Sequence, residues 1–189
     1  MEQILRPQDK IEKAPLSRLF PAEGTNLYRI LNDPAYKSAF HARLQTYNPF
    51  VVAFYRLGLL PLFGASRTVM LLTTRGRKTG KLRQTPVGYF RIDGLIYLFS
   101  AWGRASNWYR NLQENPQSLS IQIGLRKWPV RAELLENPAE IQATLQRFIS
   151  GSPAAAHELF GWDPQHDTFE HADFSPVIKD VLIVWFVER

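Results

Sequence analysis

Between Arg67 and Leu135 the chain strings together five short segments rich in β-branched and aromatic residues. Each is bounded by turn-forming residues, and that cadence limits the fold more than any other feature. TVMLLTT reads as a largely buried strand, and LRQTPVGYFRI follows it after a glycine-punctuated turn. Asp93-Gly94 then supplies a two-residue hairpin signal before LIYLFSA. LSIQIG and KWPVRAELL are joined by a tight turn around Gly124 to Arg126, and VIKDVLIVWFVE predicts one long closing strand. Consecutive antiparallel strands of this length favour a small closed barrel over an open sheet, because closure removes exposed edges. The expected fold is mainly β, a six-stranded antiparallel barrel with peripheral helices.

Helix signals surround the strands. Asp33-Pro34 pairs an N-cap with proline at the first helical position and predicts a helix through about Tyr47. Asn48-Pro49 repeats that signal and predicts a second, very apolar helix, PFVVAFYRLGL. This helix can be read as buried packing or as a face turned to a membrane or to incoming substrate. Ser106 caps a two-turn helix that stops at Asn115-Pro116, and Asn137-Pro138 with Glu140 resembles a capping box for a helix to about Ile149. The tract from Ser152 to Pro176 reads as irregular and aromatic. The expected organisation is a flexible N-terminal arm over residues 1–26, a helical extension over 27–66 and the barrel over 67–189.

No cysteine occurs, which excludes disulfides, thiol nucleophiles and cysteine-held metals. Residues 1–23 do not resemble a secretory signal, and the longest apolar run, 49–64, is broken by Arg56 and is too short to span a bilayer. The simplest expectation is a soluble cytoplasmic protein, with peripheral attachment at the inner face of the membrane and a homodimer both left open.

Charge is unevenly distributed. Residues 67–131 hold 12 Lys or Arg and 2 Asp or Glu, a local balance of +10, whereas 132–189 hold 3 and 10, a balance of −7. An anionic partner near the middle section would account for this, and so would the acidic third folding back on the basic one. The densest cationic stretch is TTRGRKTGKLRQTP, Thr73 to Pro86. Its glycines allow a tight turn and leave backbone N–H groups uncovered, so the turn can cradle an oxyanion; it can equally be a solvated hairpin tip. It is not a nucleoside-triphosphate loop: three residues separate Gly76 from Gly80 where four are required, and Leu82 stands where a metal-binding hydroxyl is needed.

LLTTRGRKTGKLRQTP followed by IDGLIYLFSAWGRASNWYRNLQENP resembles the deazaflavin-dependent nitroreductase family, split-barrel oxidoreductases similar to FMN-binding proteins. The resemblance spans about Arg67 to Leu135. It implies coenzyme F-420, a deazaflavin whose tail carries a phosphate and several glutamate carboxylates, with FMN as the alternative. Arg77, Lys78 and Arg83 would then meet the anionic groups, and Gly76, Thr79 and Gly80 would offer backbone or hydroxyl donors. Thr85 and Pro86 would lie along the ring or linker, and Ser100, Ala101, Trp102 and Gly103 would form the loop that approaches the coenzyme. Trp102 departs from the family's small or basic residue there and would either stack on a ring or block the site. Asn107, Trp108 and Asn111 match the helix that follows; Trp108 suits packing, and Asn111 suits either capping or coenzyme contact.

The implied activity is hydride transfer from reduced F-420 to an apolar acceptor, a quinone, enone or nitroaromatic, with the protein supplying orientation and electrostatics. No catalytic acid or base is assigned. In the family's nitroreductases, tyrosines of the C-terminal third line the substrate pocket, but this chain has none after Tyr109. Phe148, Phe160, Trp162, Phe169 and Phe174 would form an apolar lid in their place, with His157, His166 and His171 as its proton donors. A non-catalytic F-420 or flavin carrier is the alternative. Single-stranded nucleic acid is a third reading, carried by the basic middle and its aromatics; the lack of an oligonucleotide-barrel motif and the acidic third oppose it.

Overall fold

A computed structural model describes residues 17–59 and 68–189. Residues 1–16 of the expected arm, and the end of the apolar run from 60 to 64, lie outside the described residues. Among the described residues there are nine strands: β1 (Arg18–Leu19), β2 (Val69–Arg75), β3 (Leu82–Gly88), β4 (Phe90–Ile92), β5 (Leu95–Ser100), β6 (Ser120–Ile123), β7 (Arg126–Leu135), β8 (Ala172–Asp173) and β9 (Leu182–Glu188). Among the same described residues six α-helices accompany them: α1 (Asn26–Asn32), α2 (Pro34–Arg56), α3 (Asn107–Glu114), α4 (Pro138–Gly151), α5 (Pro153–Phe160) and α6 (Ser175–Asp180).

Seven strands form one antiparallel sheet in the order β3-β2-β6-β7-β9-β5-β4. Its two edge strands, β3 and β4, are consecutive in sequence and separated by Tyr89 alone. Two edges joined by one residue require the sheet to curl until they meet, so the sheet is a split barrel. LRQTPVGYFRI is therefore one strand direction broken at Tyr89, its first half pairing with β2 and its second with β5. Counted that way the barrel has six staves. The long β7 is shared in the same manner, Arg126 to Pro129 with β6 and Val130 to Leu135 with β9.

Alternation along the strands builds two cores. Ile96, Leu98, Leu182, Val184 and Phe186 point into the barrel with Met70, Leu72 and Ile121, and α3 fills the interior with Trp108, Tyr109 and Leu112. Tyr97 and Ile183 face the other way, with Phe99 and Trp185 packed beside them, under α4, α5 and α6. A sheet covered on both faces needs near-continuous apolar runs, which is why LIVWFV and LIYLF show no polar alternation.

Three expectations fail. The segment 34–56 is one helix with Pro49 inside it, not two helices. The tract 152–176 contains α5, a 3-10 turn at Phe169–His171 and β8, which pairs in parallel with β1; Phe20, next to β1, is buried in the helical layer. The predicted closing strand begins only at Leu182, because Ser175–Asp180 forms α6 with Pro176 in its first turn and Asp173 accepting from the Ser175 N–H.

Candidate functional site

Helix α2 lies across the barrel and is tied down at both ends. Near its start the Lys37 ammonium donates to the Ala101 carbonyl at 3.3 Å, and Phe40 stacks on Trp102 with centroids 5.9 Å apart. Near its end the buried Tyr55 hydroxyl donates to the Val69 carbonyl at 2.9 Å and accepts from the Gly124 N–H. Arg56 grips the Gln84 side-chain oxygen with two hydrogen bonds of 2.8 and 2.6 Å. Two cavities lie along the helix between these ties. One, about 850 Å³, is lined by the 76–85 turn and strand together with Arg56. The other, about 520 Å³, is lined by Leu44, Val51, Pro86, Leu98, Phe99 and Trp102, among others. Gln45, Asn48, Thr85, Asn107 and Trp108 line both, so the two form a groove with a cationic half and an apolar half.

The cationic half is built around the β2–β3 turn. The Gly76 N–H donates to the Lys81 carbonyl, and the Gly80 N–H donates back to Gly76. A Cβ on Gly76 would sit 3.2 Å from both the Lys81 carbonyl oxygen and the Thr79 hydroxyl, so the turn closes this tightly only around glycine. Asn111, buried on α3, fixes the turn from below: its Oδ1 accepts from the Arg77 backbone N–H and from the Arg77 guanidinium, both at 3.1 Å. Asn107 Oδ1 accepts from the same guanidinium at 3.3 and 3.4 Å. Arg77 is thus aimed by neutral amides that leave its charge uncancelled. Among the described residues, none of Arg56, Arg77, Lys78 and Arg83 has a carboxylate within 4.0 Å. Replacing Asn111 by leucine should strand the Arg77 N–H and lower the unfolding free energy by about 1–3 kcal/mol. Chemical denaturation of the variant measures that loss.

Twelve of the fifteen residues singled out in the sequence line this groove. Gly76, Arg77, Lys78, Thr79, Arg83 and Asn111 belong to its cationic half, Pro86, Ser100 and Trp102 to its apolar half, and Thr85, Asn107 and Trp108 to both. Gly80, Ala101 and Gly103 line neither; Gly80 and Gly103 adopt positive φ, and Ala101 is buried. Trp102 leans on Phe40 and His41 and forms a wall beside the apolar cavity without filling it. Its indole Nε1 is buried with no acceptor among the described residues.

The aromatic lid expected from the C-terminal third is absent from both cavities: Phe148, Phe160, Trp162, Phe169 and Phe174 pack in the helical layer behind the sheet. Of the three histidines assigned to that lid, His157 meets the Trp162 carbonyl, His166 meets Asp163, and His171 closes the 3-10 turn. The wall comes from α2 instead, through His41, Leu44, Gln45, Asn48, Val51, Val52 and Arg56. These recur at helical steps of three and four across Asn48-Pro49, a face that disappears when the helix is split there. His41 lies 3.4 Å from the Gln45 amide nitrogen.

Shifted titrations lie away from the groove. Burial pushes the Tyr55 and Tyr97 phenols up. The Glu136 hydrogen bond raises Arg104, and the Gln165 N–H, with His166, lowers Asp163. None of these four lines either cavity.

The chain is thus a split barrel whose cationic turn opens onto an apolar slot. The model of the F420H(2)-dependent quinone reductase family matches residues 60–157, and the chain belongs to that family. It is therefore an oxidoreductase of the F420-dependent class. Among solved structures it is similar to an F420-H2 dependent reductase, FDR-A, at 23% identity over 63% of this chain and 94% of that one, with a TM-score of 0.41. It is also similar to the conserved hypothetical protein Rv2991 from Mycobacterium tuberculosis at 19% identity over 69% and 78%, TM-score 0.44. ChuZ of Campylobacter jejuni is a further similar structure, at 12% identity over 90% and 65%, TM-score 0.45.

Proposed function

We propose that this protein uses reduced F-420 to reduce an apolar acceptor, with a quinone as the first choice. The observation that carries the reading is the division of the groove: four cations with no carboxylate partner among the described residues in one half, and a mostly apolar slot in the other. Arg56, Arg77, Lys78 and Arg83 suit a tail bearing a phosphate and several carboxylates better than the single phosphate of FMN. Thr79 and the Gly76 turn would add neutral donors, and Thr85 and Trp108, at the junction, would flank the linker and ring. When bound, the reduced coenzyme supplies a hydride.

The chain's own residues do the rest. Helix α2 and Trp102 wall the apolar slot, and an acceptor seated against them would displace water and strengthen the electrostatic contacts inside it. His41 is the only imidazole lining it among the described residues, and an imidazole can pass a proton to an acceptor oxygen as reduction proceeds.

Titration with oxidised F-420, followed by the coenzyme's fluorescence, should show saturable binding well below millimolar, the level at which binding is worth only about 4 kcal/mol. No saturation there removes the reading. Incubating the reduced coenzyme and protein with quinones, enones and nitroaromatics should give turnover, fastest with quinones. Tight binding with no oxidation across the panel would identify a carrier instead.

A further inference from the structure

Helix α2 carries a proline where it crosses the waist of the groove. Pro49 has no N–H, so the carbonyl of Gln45, four residues earlier, lacks the donor that an unbroken helix would give it. Helix carbonyls point toward the C-terminal end, which aims this one at Asn48 and Pro49, and all three residues line the groove. Two side chains at the waist are also unspent: among the described residues neither the Asn48 carboxamide nor the Thr85 hydroxyl has a hydrogen-bond partner. Asn107 gives its oxygen to Arg77 and keeps its amide N–H groups. The Gln45 amide nitrogen meets His41, which leaves the Gln45 side-chain oxygen. Gln45, Asn48, Thr85 and Asn107 are four of the five residues common to both halves of the groove, Trp108 being the fifth, and none of them is charged.

The chemistry of this set selects what crosses the waist. A free carbonyl needs a donor hydrogen, which a carboxylate, a phosphodiester or a quinone does not offer. Carboxamides and a hydroxyl both give and accept, and so does each hydroxyl of a polyol. The ligand segment that answers them is neutral and carries several hydroxyls. We propose that Gln45, Asn48 and the break at Pro49 make α2 a binding element for the sugar-alcohol linker of the coenzyme, the chain between ring and phosphate, with Thr85 and Asn107 meeting it from the barrel side. The assignment rests on the proposed function and adds an orientation to it: with the linker at the waist, the anionic tail lies among the cations and the ring enters the apolar slot. It also gives a reason for a proline inside a 23-residue helix, where proline costs stability. The break uncovers an acceptor at the one level of the groove where the ligand has hydroxyls to fill it.

The test compares two ligands on the full chain by fluorescence titration: oxidised F-420, and the deazaflavin ring with its sugar-alcohol chain but without phosphate or glutamates. Asn48→Leu, which keeps the side-chain shape and removes its hydrogen bonds, should weaken both ligands by the same factor, about two- to tenfold for one neutral hydrogen bond. Pro49→Ala returns an N–H to the Gln45 carbonyl, so it should raise the melting temperature and still weaken both ligands about two- to tenfold. A purely structural role for Pro49 would not lower affinity while stability rises. Arg77→Ala should weaken F-420 alone. Unchanged binding in either α2 variant overturns the proposal and leaves the proposed function standing. A loss confined to F-420 also overturns it, because α2 would then meet the tail. A wild-type protein that binds F-420 but not the phosphate-free ligand overturns it as well, since the waist and slot would hold nothing on their own. A wild-type protein that binds neither ligand removes the proposed function together with the proposal.

Discussion

Replacing Arg77 by alanine should weaken binding of oxidised F-420 by about 10- to 100-fold while the unfolding midpoint stays close to wild type. The size follows from losing one hydrogen bond between a guanidinium and an anion, worth about 1.5–3 kcal/mol. The specificity follows from the geometry. Asn107 and Asn111 hold the guanidinium through neutral oxygens, so its positive charge and its remaining N–H groups stay available. The turn itself should survive, because the Arg77 backbone N–H keeps its bond to Asn111. Lysine at this position should restore only part of the affinity, since a point charge does not reproduce the fork. Arg104→Ala is the matched control: Arg104 is already paired with Glu136 and lines neither cavity, so its loss should leave affinity unchanged. Isothermal calorimetry on the three variants measures this, and an Arg77→Ala protein that binds like wild type would show that the cationic turn is not the coenzyme's cradle.

The barrel was legible because its strands announce themselves locally. The hairpin at Asp93-Gly94 has both residues at positive φ, as a primed turn requires, and β4 and β5 pair directly across it. Glycine spacing around Gly76 likewise marked the turn that Asn111 fixes from below. What the residues did not announce was anything held by distant partners. Asn48-Pro49 looks like a helix start, and an interior proline removes a hydrogen bond and crowds the preceding turn, at a cost of about 3 kcal/mol. The helix nevertheless runs through Pro49, since Phe40 against Trp102 at one end and Tyr55 against Val69 at the other fix its axis. Splitting the helix hid the wall residues His41, Gln45 and Arg56, which share one face only when the helix is whole. The same locality misplaced the C-terminal aromatics. Composition shows that they are apolar and numerous, but only the packing of α4, α5 and α6 shows which side of the sheet they cover.

That packing gives the second large effect. Phe148 is 1% exposed and meets the Phe90 and Phe99 rings edge-on at 4.7 and 5.3 Å, with Phe160 at 5.9 Å. Truncating it to alanine removes a ring from a closed aromatic cluster and should cost about 3–5 kcal/mol. At about 2–4 °C per kcal/mol for a chain of this size, the melting temperature should fall by roughly 10 °C. Below that temperature the variant's affinity for oxidised F-420 and its preference among acceptors should match wild type, because Phe148 lines neither cavity and Phe99, which does line the apolar one, keeps its contact with Phe90. A lid residue would behave the opposite way, with melting little changed and acceptor preference altered. Scanning calorimetry alongside turnover with a long-chain and a short-chain quinone separates the two. Altered acceptor preference at unchanged stability would return the C-terminal aromatics to the substrate pocket and remove α2 from its role as the wall.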